Sequence, residues 1–298
     1  VIKTPPAPFI KDLDSLPIVA RHLFKNSLYF RPDTGETLTV VQASRGCPFE
    51  CIFCSAIAGA GRILRKRSPQ NIVNEIEECV KKNKITNLLL GAETFTCDKK
   101  WVLEICDEII KRDLNISWYC NSRVDTIDKE LAVGMKKSGC YAVSLGIESG
   151  NQETLDRMKK GTTIAKAVEA VRILKETKIK TYLYYIIGFP WETREMINDT
   201  INFAIKLDGD ITDFYLAHPL YGTELHEMAK EEKMLEQGED FLFGYRIKSP
   251  NISPESLQKL YQSALLRFYL RPAYIIKTLA GIRSPKAAIR IAMIGFST

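Results

Sequence analysis

The chain has 298 residues, 45% hydrophobic and 26% charged, which excludes a disordered chain and a disulfide-stapled miniprotein. Its net charge, 42 − 36 = +6, is too mild to imply nucleic acid by itself. An uncharged run as long as Thr181–Trp191 is about half of what a membrane-spanning helix needs, so no span is expected.

Residues 1–36 hold five prolines and read as an N-terminal linker or arm. They carry no apolar core of signal-peptide type, so a cytoplasmic location is expected. From Leu38 onward short β-rich runs alternate with amphipathic helical stretches. The runs are Leu38–Ala43, Asn87–Leu90, Ser117–Cys120, Tyr141–Gly146, Lys180–Ile187 and Asp213–Ala217. Helical patterns cover Pro69–Asn83, Lys99–Arg112, Lys129–Ser138, Ile164–Thr177 and Glu192–Lys206. Ser68 is placed to cap the first of these, with Pro69 in its first turn. Such alternation gives a parallel sheet with right-handed crossovers, which a doubly wound sheet and a β/α barrel both satisfy. The glycine fingerprint of a dinucleotide fold is missing after the first strand, and the unusual residues sit at the C-terminal ends of the runs. The expected fold is α/β, an incomplete (β/α)6 TIM-like barrel over residues 37–230. Residues 231–298 lose the alternation and read as a helical C-terminal extension with an apolar, basic tail.

Basic clusters at Arg62, Arg65, Lys66 and Arg67, and at Arg271, Lys277, Arg283, Lys286 and Arg290, fit solvated faces better than a nucleic-acid surface. Eight cysteines in a long chain without a secretion signal point to metal binding or buried thiols rather than disulfides. Cys47, Cys51 and Cys54 fall in one loop at Cys-x3-Cys-x2-Cys spacing, directly after the first strand. Thiolates suit iron–sulfur clusters and zinc. A structural zinc site would be closed by a fourth Cys or His, and neither His22 nor His218 forms such a motif. Cys79 and Cys106 lie on apolar helical faces, and Cys97, Cys120 and Cys140 are read as small thiols rather than substrate contacts.

This loop, with aromatic Phe53 before the third cysteine, resembles the radical S-adenosylmethionine (radical SAM) superfamily. The resemblance extends over about residues 38–228 and implies a 4Fe-4S cluster held by Cys47, Cys51 and Cys54 with one iron open. Gly91-Ala92-Glu93 stands where that family carries a Gly-Gly-Glu-like motif for the cofactor's amino group, with Ala92 replacing the second glycine. Ser144–Gly150 is similar to the ribose-contacting segment, which makes Glu148 the hydroxyl acceptor. Tyr185–Glu192 resembles the segment that lays an aliphatic residue, Ile187, against adenine. His218–Thr223 resembles the Pro-x-x-Gly-Thr loop near the same base, with Leu220 in contact. Arg123 ends the third strand and is a candidate for the cofactor carboxylate, or for an ion pair with a neighbouring acid. The resemblance implies reductive cleavage of S-adenosylmethionine to a 5′-deoxyadenosyl radical, fed by a donor such as ferredoxin or flavodoxin. No acid–base dyad is needed for that chemistry, and no Ser/His/Asp set is evident.

Asp12–Pro17, Ala20-Arg21-His22, Arg67-Ser68-Pro69, Glu93-Thr94-Phe95 and Arg267–Pro272 resemble the cobalamin-dependent class. No Rossmann-like half and no Asp-x-His-x-x-Gly motif is present, so either the chain is a fragment, with cobalamin bound by a domain outside it, or a separate subunit binds cobalamin, or this member works without it. In that class methyl transfer to an unactivated carbon or to phosphorus is the commonest reaction. Cobalamin-independent cyclisation or rearrangement is the alternative. A non-catalytic iron–sulfur electron carrier would need four thiolates and no cofactor pocket. Tyr184, Trp191 and Tyr221 are candidates to line a pocket for a small, apolar substrate. The segment Ser263–Leu270 and the tail Ile291-Ala292-Met293-Ile294 are expected to dock on the barrel rather than lie on a membrane surface.

Overall fold

The computed structural model describes residues 7–31, 34–237 and 245–281. Six strands form one parallel sheet: β1 (Leu38–Gln42), β2 (Asn87–Gly91), β3 (Ser117–Arg123), β4 (Cys140–Glu148), β5 (Lys180–Ile187) and β6 (Ile211–Leu216). They lie side by side in chain order, each parallel to the next. A doubly wound sheet reverses direction at a switch point, and this one does not. With every crossover right-handed, the helices return along one face, which is the arrangement of a barrel wall. The first and last strands do not pair with each other, so the barrel is incomplete.

The crossovers are α1 (Pro69–Lys81), α2 (Lys99–Lys111), α3 (Lys129–Lys137), α4 (Ile164–Glu176) and α5 (Arg194–Leu207). Ser68, Asp98, Asp128, Thr163 and Thr193 each accept a backbone N–H from the first turn that follows. Caps of this kind contribute about 1 kcal/mol apiece. The fifth helix starts at Arg194 rather than Glu192, because the Glu192 carboxylate turns back to accept from the N–H groups of Gly188 (2.7 Å) and Phe189 (3.0 Å). Two strands run past their expected ends, β3 to Arg123 and β4 to Glu148, carrying polar residues out to the barrel mouth.

Strand alternation divides the side chains between two environments. Leu88, Leu90, Trp118, Cys120, Leu145 and Tyr185 are fully buried with helix residues such as Ile72, Ile76 and Ile105 in one core. Burying an aliphatic side chain of this size stabilises by roughly 1.5–3 kcal/mol, so this outer face carries the fold. The opposite face of the sheet holds Val40, Tyr119, Tyr184 and Tyr215, which stay half-buried or exposed. Cross-strand register places these in rows, Val40 with Leu89 and Tyr119, and Tyr184 with Gly146 and Asp213.

The N-terminal arm contributes two single 3-10 turns, Arg21–Leu23 and Asn26–Leu28. It is fastened by buried Arg21, which pairs with Glu75 at 2.6 Å, while Arg67 reaches the other oxygen of the same carboxylate at 2.5 Å. The C-terminal region is not wholly helical: Leu235–Gln237 pairs antiparallel with Tyr245–Ile247 before the helices resume. After α6 (Glu224–Glu231) come α7 (Pro254–Tyr269) and α8 (Pro272–Gly281). The seventh helix seats Leu260, Ala264 and Phe268 in the main core. Its Tyr269 hydroxyl donates to the Thr212 carbonyl (2.7 Å) and accepts from the Thr212 N–H (3.2 Å), covering the free edge of β6. Docking of Ser263–Leu270 is thus seen, whereas Ile291–Ile294, Arg283, Lys286 and Arg290 lie outside the described residues.

The basic clusters have local partners. Arg62 pairs with Glu50, Lys66 with Asp98, Arg271 with Asp208 and Lys277 with Asp210. Arg65 donates to the carbonyls of Ile10 and Ala60. Cys79, Cys106, Cys120 and Cys140 are buried, and burial pushes the Cys79 and Cys106 thiols up to about 11, as inert core thiols require. No helix among the described residues is long and apolar enough to cross a membrane.

Candidate active site

The cysteine loop leaves β1 through a narrow turn. Ser44–Arg45 pairs antiparallel with Arg65–Lys66, so the loop is pinched at its base. Gly46 sits there at φ +94°, and a Cβ would stand 2.1 Å from the Ile63 carbonyl oxygen, so only glycine passes. The Cys47 N–H then donates to Gly61 (3.0 Å), and the Cys54 N–H to Cys51 (3.2 Å). All three thiols remain half-buried at the mouth of the barrel, none in a disulfide. Burial pushes the Cys51 and Cys54 thiols up; the Lys160 and Arg123 charges pull Cys51 back down.

Each following strand delivers one group beside this loop. Beyond β2, Glu93 lines a cleft of about 650 Å³ with Gln42, Arg45, Arg65, Phe9 and Ile10. One Glu93 carboxylate oxygen is buried without any hydrogen-bond partner. A buried acceptor left unpaired costs about 1–3 kcal/mol. Thr94 approaches the Cys47 sulfur at 3.8 Å.

At the end of β3, Arg123 does not present its fork to open space. Its Nε and Nη2 grip both oxygens of Asp125 (2.9 and 3.1 Å), and Nη2 also donates to the Lys160 carbonyl (2.5 Å). Its remaining nitrogen, Nη1, donates to the Cys51 sulfur at 3.7 Å. The guanidinium lies 3.7 Å over the ring of Phe49, which belongs to the cysteine loop itself.

Glu148 ends β4 at φ +67°, a left-handed conformation costing about 1–3 kcal/mol for a residue with a side chain. A register shift between Gly146 and Glu148 accompanies it, and bulges of this kind re-aim a side chain. The carboxylate is thereby turned onto Lys160, 2.5 Å away, with both groups nearly excluded from solvent. Gly146 leaves the room: a Cβ there would meet the Glu148 oxygen at 2.2 Å and the Lys160 nitrogen at 2.8 Å. Glu148, the expected hydroxyl acceptor, is thus also one half of a buried ion pair.

Along β5, Ile187 is fully buried among the helices, so it does not face the barrel interior where an adenine would lie. Strand alternation gives that side to Ile186, which packs with Phe53 and Phe189 in a second apolar cluster. Phe53 meets Phe189 edge-on at 6.1 Å. Trp191, expected in a substrate pocket, is packed instead, stacked on Phe189 at 4.9 Å beneath Arg157. Tyr221 is 86% exposed on the loop after β6. Leu220, on the same loop, is half-buried, its carbonyl accepting from the Thr223 hydroxyl at 2.6 Å. Tyr184 alone of the three aromatic candidates faces inward, near Tyr215 at 6.0 Å. Gly91 and Ala92 form the buried strand end that presents Glu93.

Asp125 is the neighbouring acid that the sequence offered Arg123, whereas Phe49 and Lys160 join this array without any mark in the sequence. Lys160 reads as one of two adjacent surface lysines until β4 folds over it. Among the described residues no three His, Cys, Asp or Glu side chains converge as one metal ion requires. Three separated thiols suit a cluster, in which each thiolate takes a different iron.

Residues 41–204 match the Radical SAM superfamily. The chain belongs to that superfamily. An uncharacterized methyltransferase of Pyrococcus horikoshii is 35% identical over 281 residues, covering 92% of this chain and 60% of the relative. The anaerobic magnesium-protoporphyrin IX monomethyl ester cyclase of Cereibacter sphaeroides is 32% identical over 284 residues, covering 92% of this chain and 45% of its own. The chain spans about half the length of the curated relatives it matches. Among solved structures, the radical S-adenosylmethionine methyltransferase TsrM from Kitasatospora setae, with cobalamin and a 4Fe-4S cluster bound, superposes with a TM-score of 0.67 at 18% identity over 80% of this chain and 52% of that one. The cobalamin-dependent radical enzyme OxsB gives 0.65 at 16% identity, covering 87% and 45%. These likenesses establish a radical SAM partial barrel. The superfamily implies a 4Fe-4S cluster and S-adenosylmethionine.

Proposed function

We propose that this chain is the catalytic barrel of a cobalamin-dependent methyltransferase acting on an unactivated carbon, or on phosphorus. One observation supports the site assignment: Glu93, which lines a cleft together with Arg45, Gly59 and Ala60 on either side of the cysteines in sequence, has one buried carboxylate oxygen without a hydrogen-bond partner. Cys47, Cys51 and Cys54 hold the cluster. Glu93 receives the ammonium group of S-adenosylmethionine, from the strand end formed by Gly91 and Ala92. Glu148, steadied by Lys160, receives the ribose hydroxyls, and Ile186 with Phe53 forms the apolar wall for the adenine, beside the Leu220 loop. When bound, the cluster and S-adenosylmethionine supply one-electron chemistry that generates a carbon radical. The protein's part is to orient the cofactor and keep water from the reacting face.

The methyl-transfer reading is supported by the Pyrococcus relative, and cobalamin use by likeness to TsrM and OxsB. Cobalamin would be held by a domain or subunit outside this chain, and the electron would come from ferredoxin or flavodoxin in the cytoplasm. Ring formation is the second reading, favoured by the 32% identity to the magnesium-protoporphyrin cyclase. The two readings differ in product. Reconstituted full-length protein with reductant, cobalamin and S-adenosylmethionine should yield S-adenosylhomocysteine if a methyl group is transferred. Formation of 5′-deoxyadenosine alone, with added cobalamin ignored, would favour ring formation. Iron that survives in the Cys47→Ala/Cys51→Ala/Cys54→Ala variant would sink both.

A further inference from the structure

We infer that Arg123 is a positioning residue for the cluster: it clamps the cysteine loop and donates to the Cys51 sulfur, raising the reduction potential of the site. The inference rests on the reading that Cys51 is a cluster ligand, and it assigns Arg123 away from the cofactor carboxylate.

The guanidinium is committed on four sides. Asp125 takes Nε and Nη2 in a two-point grip, and the Lys160 carbonyl takes Nη2 from behind. Phe49 covers the flat face at 3.7 Å, and Nη1 reaches Cys51 at 3.7 Å. The side chain is 5% exposed, so it has little freedom to swing toward a ligand in the cleft. A carboxylate approaching Arg123 would find its two-point face already occupied by Asp125. What the arrangement leaves to act outward is Nη1, one of whose N–H groups reaches the sulfur.

The stacking on Phe49 gives the contact its second role. Phe49 lies between Cys47 and Cys51, so a fixed guanidinium on its ring fixes the part of the loop between two ligands. The strand end therefore sets where Cys51 stands, and the Asp125 grip sets the strand end's side chain. Lys160 joins the same array from the other side, since its carbonyl holds Arg123 while its ammonium holds Glu148. Hydrogen bonds and positive charge at a cluster sulfur stabilise the reduced, more negative state.

The test uses full-length protein, anaerobically reconstituted, with iron content, a spectroscopic redox titration and S-adenosylmethionine affinity measured together. Arg123→Met should retain its iron but lower the reduced-to-oxidised ratio at a fixed ambient potential about tenfold. That equals about 59 mV for a one-electron couple. Cofactor affinity should stay within about twofold. Arg123→Lys keeps a charge but loses the fork, and should recover only part of the shift. An unchanged potential in an iron-loaded Met variant overturns the inference; a large loss of cofactor affinity without a potential shift returns Arg123 to the carboxylate role. If the Met variant fails to hold iron, the Lys variant is read instead, and a parental potential there is equally fatal. Failure of the parent reading looks different, because the unsubstituted protein would then carry no cluster to titrate.

Discussion

Glu93→Gln separates a binding role from a structural one, because the two predict opposite signs. In the ligand-free protein one Glu93 oxygen is buried with no donor, while the cleft beside it is open to a small molecule. Leaving a buried acceptor in that condition costs about 1–3 kcal/mol, and an amide in its place recovers part of this, so the apoprotein should gain roughly 1 kcal/mol in urea unfolding. The bound state should move the other way. A charge-assisted hydrogen bond to an ammonium group is worth about 1.5–3 kcal/mol, and each 1.4 kcal/mol is tenfold in Kd. Affinity for S-adenosylmethionine should fall about tenfold to a hundredfold, measured by equilibrium dialysis on reconstituted protein. A variant that is less stable and still binds normally would show that Glu93 serves the fold, and the amino-group assignment would be lost.

Other substitutions test the remaining parts of the site. Lys160→Met leaves the Glu148 carboxylate alone in a buried position and should cost about 3–5 kcal/mol, most of which the Glu148→Gln/Lys160→Met pair restores; strictly additive losses in denaturant unfolding would contradict the pair. Burial pushes the Glu192 carboxyl up to about 7, so between pH 4.5 and 7 the folded state holds a proton that the unfolded state has released. Stability should therefore fall by about 2 kcal/mol as pH rises through that window, and Glu192→Gln should flatten the dependence; an unaltered pH profile in the variant refutes the assignment. Gly46→Ala forces a side chain against the Ile63 carbonyl at a positive φ, and should lose about 2 kcal/mol together with its iron. Parental iron content and stability in that variant would mean the turn relaxes freely.

The sheet was legible because apolar runs ending in Gly, Ser or charged residues recur between amphipathic stretches, and each of the five crossover helices starts at a Ser, Thr or Asp cap. The cysteine loop was legible because its spacing is local. Facing was harder where a strand is apolar on both sides. Ile186 and Ile187 are the same residue type one position apart, and a period of two assigns a face only when the other face is polar. The sequence therefore could not tell that Ile187 packs against helices while Ile186 takes the barrel side. Trp191 and Tyr221 illustrate a related limit: aromatic side chains near strand ends stack in the interior or stand in solvent according to contacts from distant elements. The Glu148–Lys160 pair depends on a bulge and a left-handed non-glycine residue, neither of which has a composition signature.

Stability and chemistry are assigned to opposite faces of one sheet. The helix-facing side is filled with Leu, Ile, Val, Trp and Cys at full burial, so the strands are fixed without help from the interior wall. That frees the interior wall to carry Tyr119, Tyr184, Asp213 and Tyr215, which a core would tolerate poorly. Burial pushes the Asp213 carboxyl up, and the Tyr215 hydroxyl up to about 12. An incomplete barrel has two edge strands, β1 and β6, and at the β6 edge water would reach the interior wall. Tyr269 closes that gap by bonding both backbone groups of Thr212, and Tyr274 continues the cover by donating to the Asp210 carbonyl at 2.8 Å. The C-terminal helices thus supply at the edge of β6 what a seventh strand would supply in a longer barrel wall, namely partners for an open backbone edge.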